Sequence, residues 1–125
     1  MRLLLDTSVL LWWGHGDARL GRDASTVIAD GANLVVVSAA TIWEIEIKRA
    51  AGKLSTAGDI ARRVVEHGLE ALPITFQHAE RAGRLPRLHA DPFDRMLVAQ
   101  AQLEGLSIVT SDSRIAQYGV PVLPA

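Results

Sequence analysis

At 125 residues the chain is long enough to bury the core of one compact domain and short for two. Hydrophobic residues make up 49% of it and the formal net charge is -1, which excludes a uniformly basic nucleic-acid binder; any grip on phosphates must come from a local patch or a metal. There is no cysteine, so disulfide scaffolds, thiolate zinc sites and cysteine nucleophiles are excluded together, as suits a reducing compartment.

The opening "MRLLLDTSVLLWWGHG" superficially resembles a signal peptide, but Asp6 interrupts its apolar run and no small-residue cleavage site follows. No apolar stretch approaches the length of a bilayer span, and the expectation is a soluble cytoplasmic protein. Arg2–Leu5 predicts a strand and Ser8–Trp13 a short helix; Ala24–Asp30 predicts a second helix and Asn33–Val37 a second strand. The next stretch, "WEIEIK" at Trp43–Lys48, alternates with period two, as a strand would. Ser38 ahead of it is a good N-cap, however, and "KRAAGKL" behind it is helix-forming, so Ala39–Lys53 predicts a helix. Ala57–His67 (helix), Ala71–Thr75 (strand) and Phe76–Arg84 (helix) follow. Pro92–Glu104 is the clearest helix, with Asp91 as N-cap, Pro92 at the first helical position and Gly105 as the stop. Leu106–Thr110 and Val120–Leu123 predict the last two strands. Continuous apolar strands alternating with helices imply a central parallel sheet covered on both faces, a three-layer α/β/α domain over residues 1–125.

In such a sheet the carboxyl ends of strands and the N-termini of helices share one edge, where ligands bind. Asp6 directly follows the first strand and Asp112 lies just past the fourth. Glu44 lies about one and a half turns into the helix after the second strand, and Asp94 at the third position of Pro92–Glu104. Four carboxylates converging there would repel by a few kcal/mol for each close pair, at an effective dielectric of about 20. Some therefore hold protons, or a cation sits among them. An all-oxygen set without thiolate suits Mg²⁺ or Mn²⁺, and the chemistry such a site performs is water activation and charge stabilisation on a phosphodiester.

Taken singly, these residues have plainer explanations. Asp6 and Asp112 suit turn or cap positions, Asp91 is explained by capping, and Glu44 alone reads as a solvated helix face. His15, His78 and His89 show no metal-ligand spacing and read as surface or loop residues. Ser8, Ser38 and Thr110 read as caps placed to orient a carboxylate. Trp12, Trp13 and Trp43 suit core and subunit contact better than base stacking, and Lys48, Arg49, Lys53, Arg87 and Arg95 are the basic residues nearest the acids in sequence.

The pieces "LLLDTSVLLWW", "VSAATIWEIEIKRAAGKL", "LPITFQHAERAGRLPRLHADPFDRMLVAQAQLEGLSIVTSD" and "YGVPVL" resemble the PIN-domain ribonucleases, more narrowly the VapC toxins of bacterial toxin–antitoxin modules. The resemblance runs over essentially the whole chain, and "HADPFDRMLVAQA" and "WEIEIK" carry most of its specificity. It implies a homodimeric α/β/α domain that cleaves RNA with Mg²⁺ or Mn²⁺ held by Asp6, Glu44, Asp94 and Asp112, with Asp91 as a neighbour. It also implies an antitoxin partner whose C-terminal segment docks over the site. Two further readings are a phosphoacceptor receiver domain and a catalytically silent module of the same fold. A receiver needs paired acids after strand one, an Asp after strand three and a Lys after strand five; here Asp6 stands alone, strand three runs into "PIT", and "VPVLPA" offers no Lys. A haloacid-type phosphatase needs an Asp where Ser8 stands, and no glycine-rich phosphate loop is present.

Overall fold

The computed structural model describes residues 1–55 and 58–125. Five strands, β1 (Arg2–Leu5), β2 (Leu34–Ser38), β3 (Glu70–Leu72), β4 (Ser107–Thr110) and β5 (Val122–Pro124), form one sheet in the order β3-β2-β1-β4-β5. Every pairing is parallel; Leu4 lies opposite Val36 of β2 on one side and Ile108 of β4 on the other. Helices α1 (Thr7–His15), α2 (Arg22–Ala29), α3 (Ala39–Ala50), α4 (Ile60–Glu66), α5 (Phe76–Arg84), α6 (Pro92–Glu104) and α7 (Ser113–Ala116) connect them.

The period of two along β1 divides the core. Leu3 and Leu5 point into a cluster with Val9, Leu10, Ile28, Ile45 and Val64 from α1 to α4. Leu4 points the other way, into a cluster with Ala82, Leu97, Val98, Ala101 and Ile115 from α5, α6 and α7. All three leucines are fully buried, which is why the strand reads as an unbroken apolar run. The layers are those expected from the sequence, and no helix among the described residues is long and apolar enough to cross a membrane.

Boundaries shift for local reasons. Pro73 ends β3 after Leu72, and Thr75 then caps α5 with a capping box in which His78 reaches back to the Thr75 N–H. The fourth helix begins at Ile60, where the Asp59 side chain accepts from Arg62 N–H, and the expected start at Ala57 lies outside the described residues. Helix α7 is a single turn that the sequence does not announce. In α6 the Asp91 carboxylate accepts from Phe93 and Asp94 N–H at 2.8 and 3.2 Å, and Gly105 closes the helix at φ 66°, a left-handed conformation that a Cβ disfavours.

Chain order reverses beside β1: β2 and β3 lie to one side, β4 and β5 to the other. The carboxyl edge between β1 and β4 is therefore the switch point where open parallel sheets bind ligands, and Asp6 and Asp112 stand just beyond those two strand ends. The receiver reading requires the order 2-1-3-4-5, which this sheet does not have.

Candidate metal centre

One cleft at that edge is lined by Asp6, Glu44, Asp91, Asp94 and Asp112, with Ser8, Ser111, Lys48 and Lys53. The acids that the sequence scatters over more than a hundred positions are thus brought together.

Asp6 caps α1, accepting from Val9 N–H at 2.8 Å, while its other oxygen accepts from the Thr110 hydroxyl. Thr110 Oγ1 in turn accepts from Asp112 N–H at 3.0 Å, so this hydroxyl links the acids at the ends of β1 and β4. Burial pushes the Asp6 carboxyl above the ordinary carboxylate range; the bonds from Thr110 and Val9 oppose this only in part, and the charges of Asp112 and Glu44 add to it.

Glu44 is 6% exposed, not a solvated face. Its Oε1 accepts from Thr7 Oγ1 at 2.5 Å and its Oε2 meets Lys48 Nζ at 2.7 Å. That contact raises the Lys48 pKa and gives the acid edge its nearest positive charge. Asp94 faces the cleft at the third position of α6, beside Asp91. Burial first, then the Asp91 charge, pushes it up to about 6, although the helix N-terminus favours an anion there. Asp112 behaves oppositely: Arg114 holds it below the usual range, binding Oδ1 through Nε at 3.1 Å and Oδ2 through a terminal nitrogen at 3.0 Å.

The histidine expectation needs correction. His15 is exposed, but His78 and His89 are buried. His78 Nε2 lies 2.8 Å from Glu104 Oε1, and its Nδ1 accepts from Thr75 N–H at 3.1 Å, so it locks α5 to α6 away from the acids. His89 belongs to the acid edge: its Nε2 lies 2.8 Å from Asp94 Oδ2 and 3.3 Å from Asp112 Oδ2. His89, Asp94 and Asp112 offer ligand-type atoms within 4.8 Å of one another. The only sequence signal for this role was its place in "HAD", two residues ahead of the cap of the acid-bearing helix.

The basic set separates too. Lys48 and Lys53 line the cleft, whereas Arg49 pairs with Glu46 at 3.0 Å. Arg95 donates to the carbonyls of Ala82, Leu85 and Pro86 at 2.9 to 3.0 Å, and so fastens the loop before α6. Arg87 lies in a separate cleft with Arg95 and Ala90. Trp43 is 62% exposed, outside the core half of the expected core and subunit contact, and packs edge-on against Phe93 with ring centroids 5.4 Å apart.

A cleft with five carboxylates and two lysines, and no sulfur ligand, has the donor chemistry of a hard divalent ion. A parallel sheet in this order, with acids gathered at its switch point, is the architecture of an α/β domain whose ligand site lies at the carboxyl edge of the sheet. The chain belongs to the PIN domain family, whose model matches residues 3–121. It is 29% identical over 123 residues to Ribonuclease VapC22 of Mycobacterium tuberculosis, covering 95% of this chain and 93% of that one. Among solved structures it is similar to VapBC2 from Rickettsia felis bound to a promoter DNA fragment, with a TM-score of 0.73 at 14% identity over 99% and 98% of the two chains. It is also similar to a toxin–antitoxin complex from Klebsiella pneumoniae, with a TM-score of 0.67 at 21% identity over 97% and 95%.

Proposed function

We propose that this PIN domain is a divalent-metal-dependent endoribonuclease and the toxin of a toxin–antitoxin pair. The observation that carries the reading is the gathering of Asp6, Glu44, Asp94 and Asp112 from four separate segments at one cleft. Burial first, and the charges of neighbouring acids after it, raise the pKa of Asp6 and Asp94, and a cation among them would favour their ionised forms. The whole-length similarity to a VapC ribonuclease supplies the substrate class.

In this reading Asp6 and Asp94 are the principal ligands of Mg²⁺ or Mn²⁺, and Glu44 and Asp112 complete or orient the cluster. An ion held by these residues would supply electrostatic stabilisation of charge developing on the phosphodiester and would lower the pKa of a water so that its hydroxide is available near neutral pH. The chain's own groups prepare the site. Thr110 aligns Asp6 against Asp112, Thr7 fixes Glu44, and the dipole of α6 favours ionised Asp94 once a cation is near. Lys48 and Lys53 stand at the cleft to meet RNA phosphates, as the local patch on which a chain of net charge -1 relies.

An acid cluster that binds a metal also suits a guanidinium, so an antitoxin arginine pairing bidentately with Asp6 or Asp94 would hold the enzyme off. Exposed Trp43 and Ile47 offer apolar surface beside the cleft for the antitoxin segment, and the family resemblance implies a homodimer. Incubation of the purified protein with total RNA and Mn²⁺, with and without EDTA, tests the enzymatic half. Cleavage that EDTA abolishes is expected; none under either condition favours the silent module. Co-expression with the product of the neighbouring gene tests the other half, with complex formation and loss of cleavage expected.

A further inference from the structure

We infer that His89 is a positioning residue, whose Nε2–H holds Asp94 and so presets it for an ion; the inference rests on the metal reading of the cleft.

The imidazole is buried and fixed from both ends. Its Nδ1 accepts the backbone N–H of Asp91 at 3.3 Å, so that nitrogen carries no proton. The ring proton therefore sits on Nε2, which donates to Asp94 Oδ2 at 2.8 Å, with Asp112 Oδ2 3.3 Å away. A protonated ring nitrogen has no lone pair to offer a metal, so His89 acts as a donor to Asp94 and not as a ligand beside it. The backbone is held as well: His89 N–H donates to Tyr118 Oη at 3.0 Å, and Tyr118 Oη donates to the Pro86 carbonyl at 2.9 Å. The loop that carries His89 is thereby anchored to the turn after α7, and the ring cannot swing without breaking the Asp91 contact.

Two consequences follow for the acids. One oxygen of Asp94 is engaged by His89, which leaves the other for an ion. Asp112 is clasped by Arg114 through both oxygens and stands 3.3 Å from Nε2 outside the hydrogen bond, so the orientation of Asp94 is set by His89, a side chain outside the cluster. Groups that orient a ligand in this way typically contribute 10- to 100-fold in metal affinity.

Mn²⁺ titration followed by calorimetry and electron paramagnetic resonance tests this on the full chain. With wild-type protein binding Mn²⁺, His89→Ala is expected to weaken binding roughly 10- to 100-fold. His89→Gln, whose amide N–H can still donate, should restore most of the loss. Wild-type affinity in His89→Ala overturns the inference while leaving the metal reading intact. So does a ring nitrogen coordinated directly to Mn²⁺ in pulsed resonance spectra. Failure of wild-type protein to take up Mn²⁺ overturns both. Nitrogen-15 spectra of the wild-type protein give a readout independent of any variant's folding: the proton is expected on Nε2 of His89, and a proton on Nδ1 contradicts the assignment.

Discussion

Glu44 occupies a helix position whose sequence neighbour Trp43 and next-turn neighbour Ile47 both face outward. An acid in the buried position and apolar groups in exposed ones is the reverse of ordinary amphipathic design. The inversion holds because Thr7 and Lys48 satisfy the carboxylate, and because Trp43 finds Phe93. The two kinds of basic residue behave differently for the same local reasons. Lys53 reaches into the cleft without shaping it, so Lys53→Met should shrink the salt slope of RNA binding by about 0.7, the contribution of one phosphate contact on a single strand. Arg95 spends its donors on three carbonyls, so Arg95→Met should lower the melting temperature and leave that slope unchanged. Filter binding against potassium chloride, on an Asp94→Asn background that keeps RNA intact, measures the first, and thermal melts measure the second.

Each helix and strand expected from the sequence exists, and the misreadings have physical causes. In α3 the period-two pattern of "WEIEIK" is misleading because the residues that pack inward, Ala40, Thr41, Glu44 and Ile45, follow helical spacing but include an acid and a hydroxyl. The capping of α3 by Ser38 was the better guide. Helix α7 carries no signal in the sequence because one turn has no hydrophobic period. The acids were legible since strand ends and helix starts must share an edge, but His89 was not. Its burial depends on Tyr118 and Asp112 from beyond β4, which no local pattern reveals. Helix α6 offers a separation of roles at its first turn. Asp91→Asn keeps the cap and removes a charge, so stability should change by only a few tenths of a kcal/mol; Asp91→Ala should cost about 1 kcal/mol. Denaturant melts of the two variants distinguish the cap from the charge.

For the molecule as a whole, a net charge of -1 conceals a local excess of acids at the switch point, which concentrates the electrostatic strain in a few residues. Asp94, raised to about 6, binds protons more tightly folded than unfolded, where a carboxyl titrates near 3.9. Its contribution to stability is thus full below about pH 4 and is lost as pH rises through about 6, and Asp6 shifts in the same direction. Asp17, held to about 2 by Arg19, and Asp112, held down by Arg114, do the reverse: their contribution is present above about pH 4 and lost on acidification. Protein kept in EDTA should therefore melt highest near pH 5 and lose stability toward pH 7.5. Excess Mg²⁺ should raise the melting temperature most at pH 7.5, where the carboxylates are ionised. Calorimetric melts across pH 3 to 8 check this, and a melting temperature that climbs steadily from pH 5 to 7.5 in EDTA would contradict it.

The measurement closest to the central claim is RNA cleavage by Asp6→Asn and Asp94→Asn proteins in Mn²⁺, with circular dichroism melts on the same samples. These changes keep side-chain size and a hydrogen-bonding oxygen while removing the negative charge. Cleavage should fall to background in both variants, with the folded spectrum retained. Wild-type cleavage by either folded variant would contradict a carboxylate-held metal as the engine of the site.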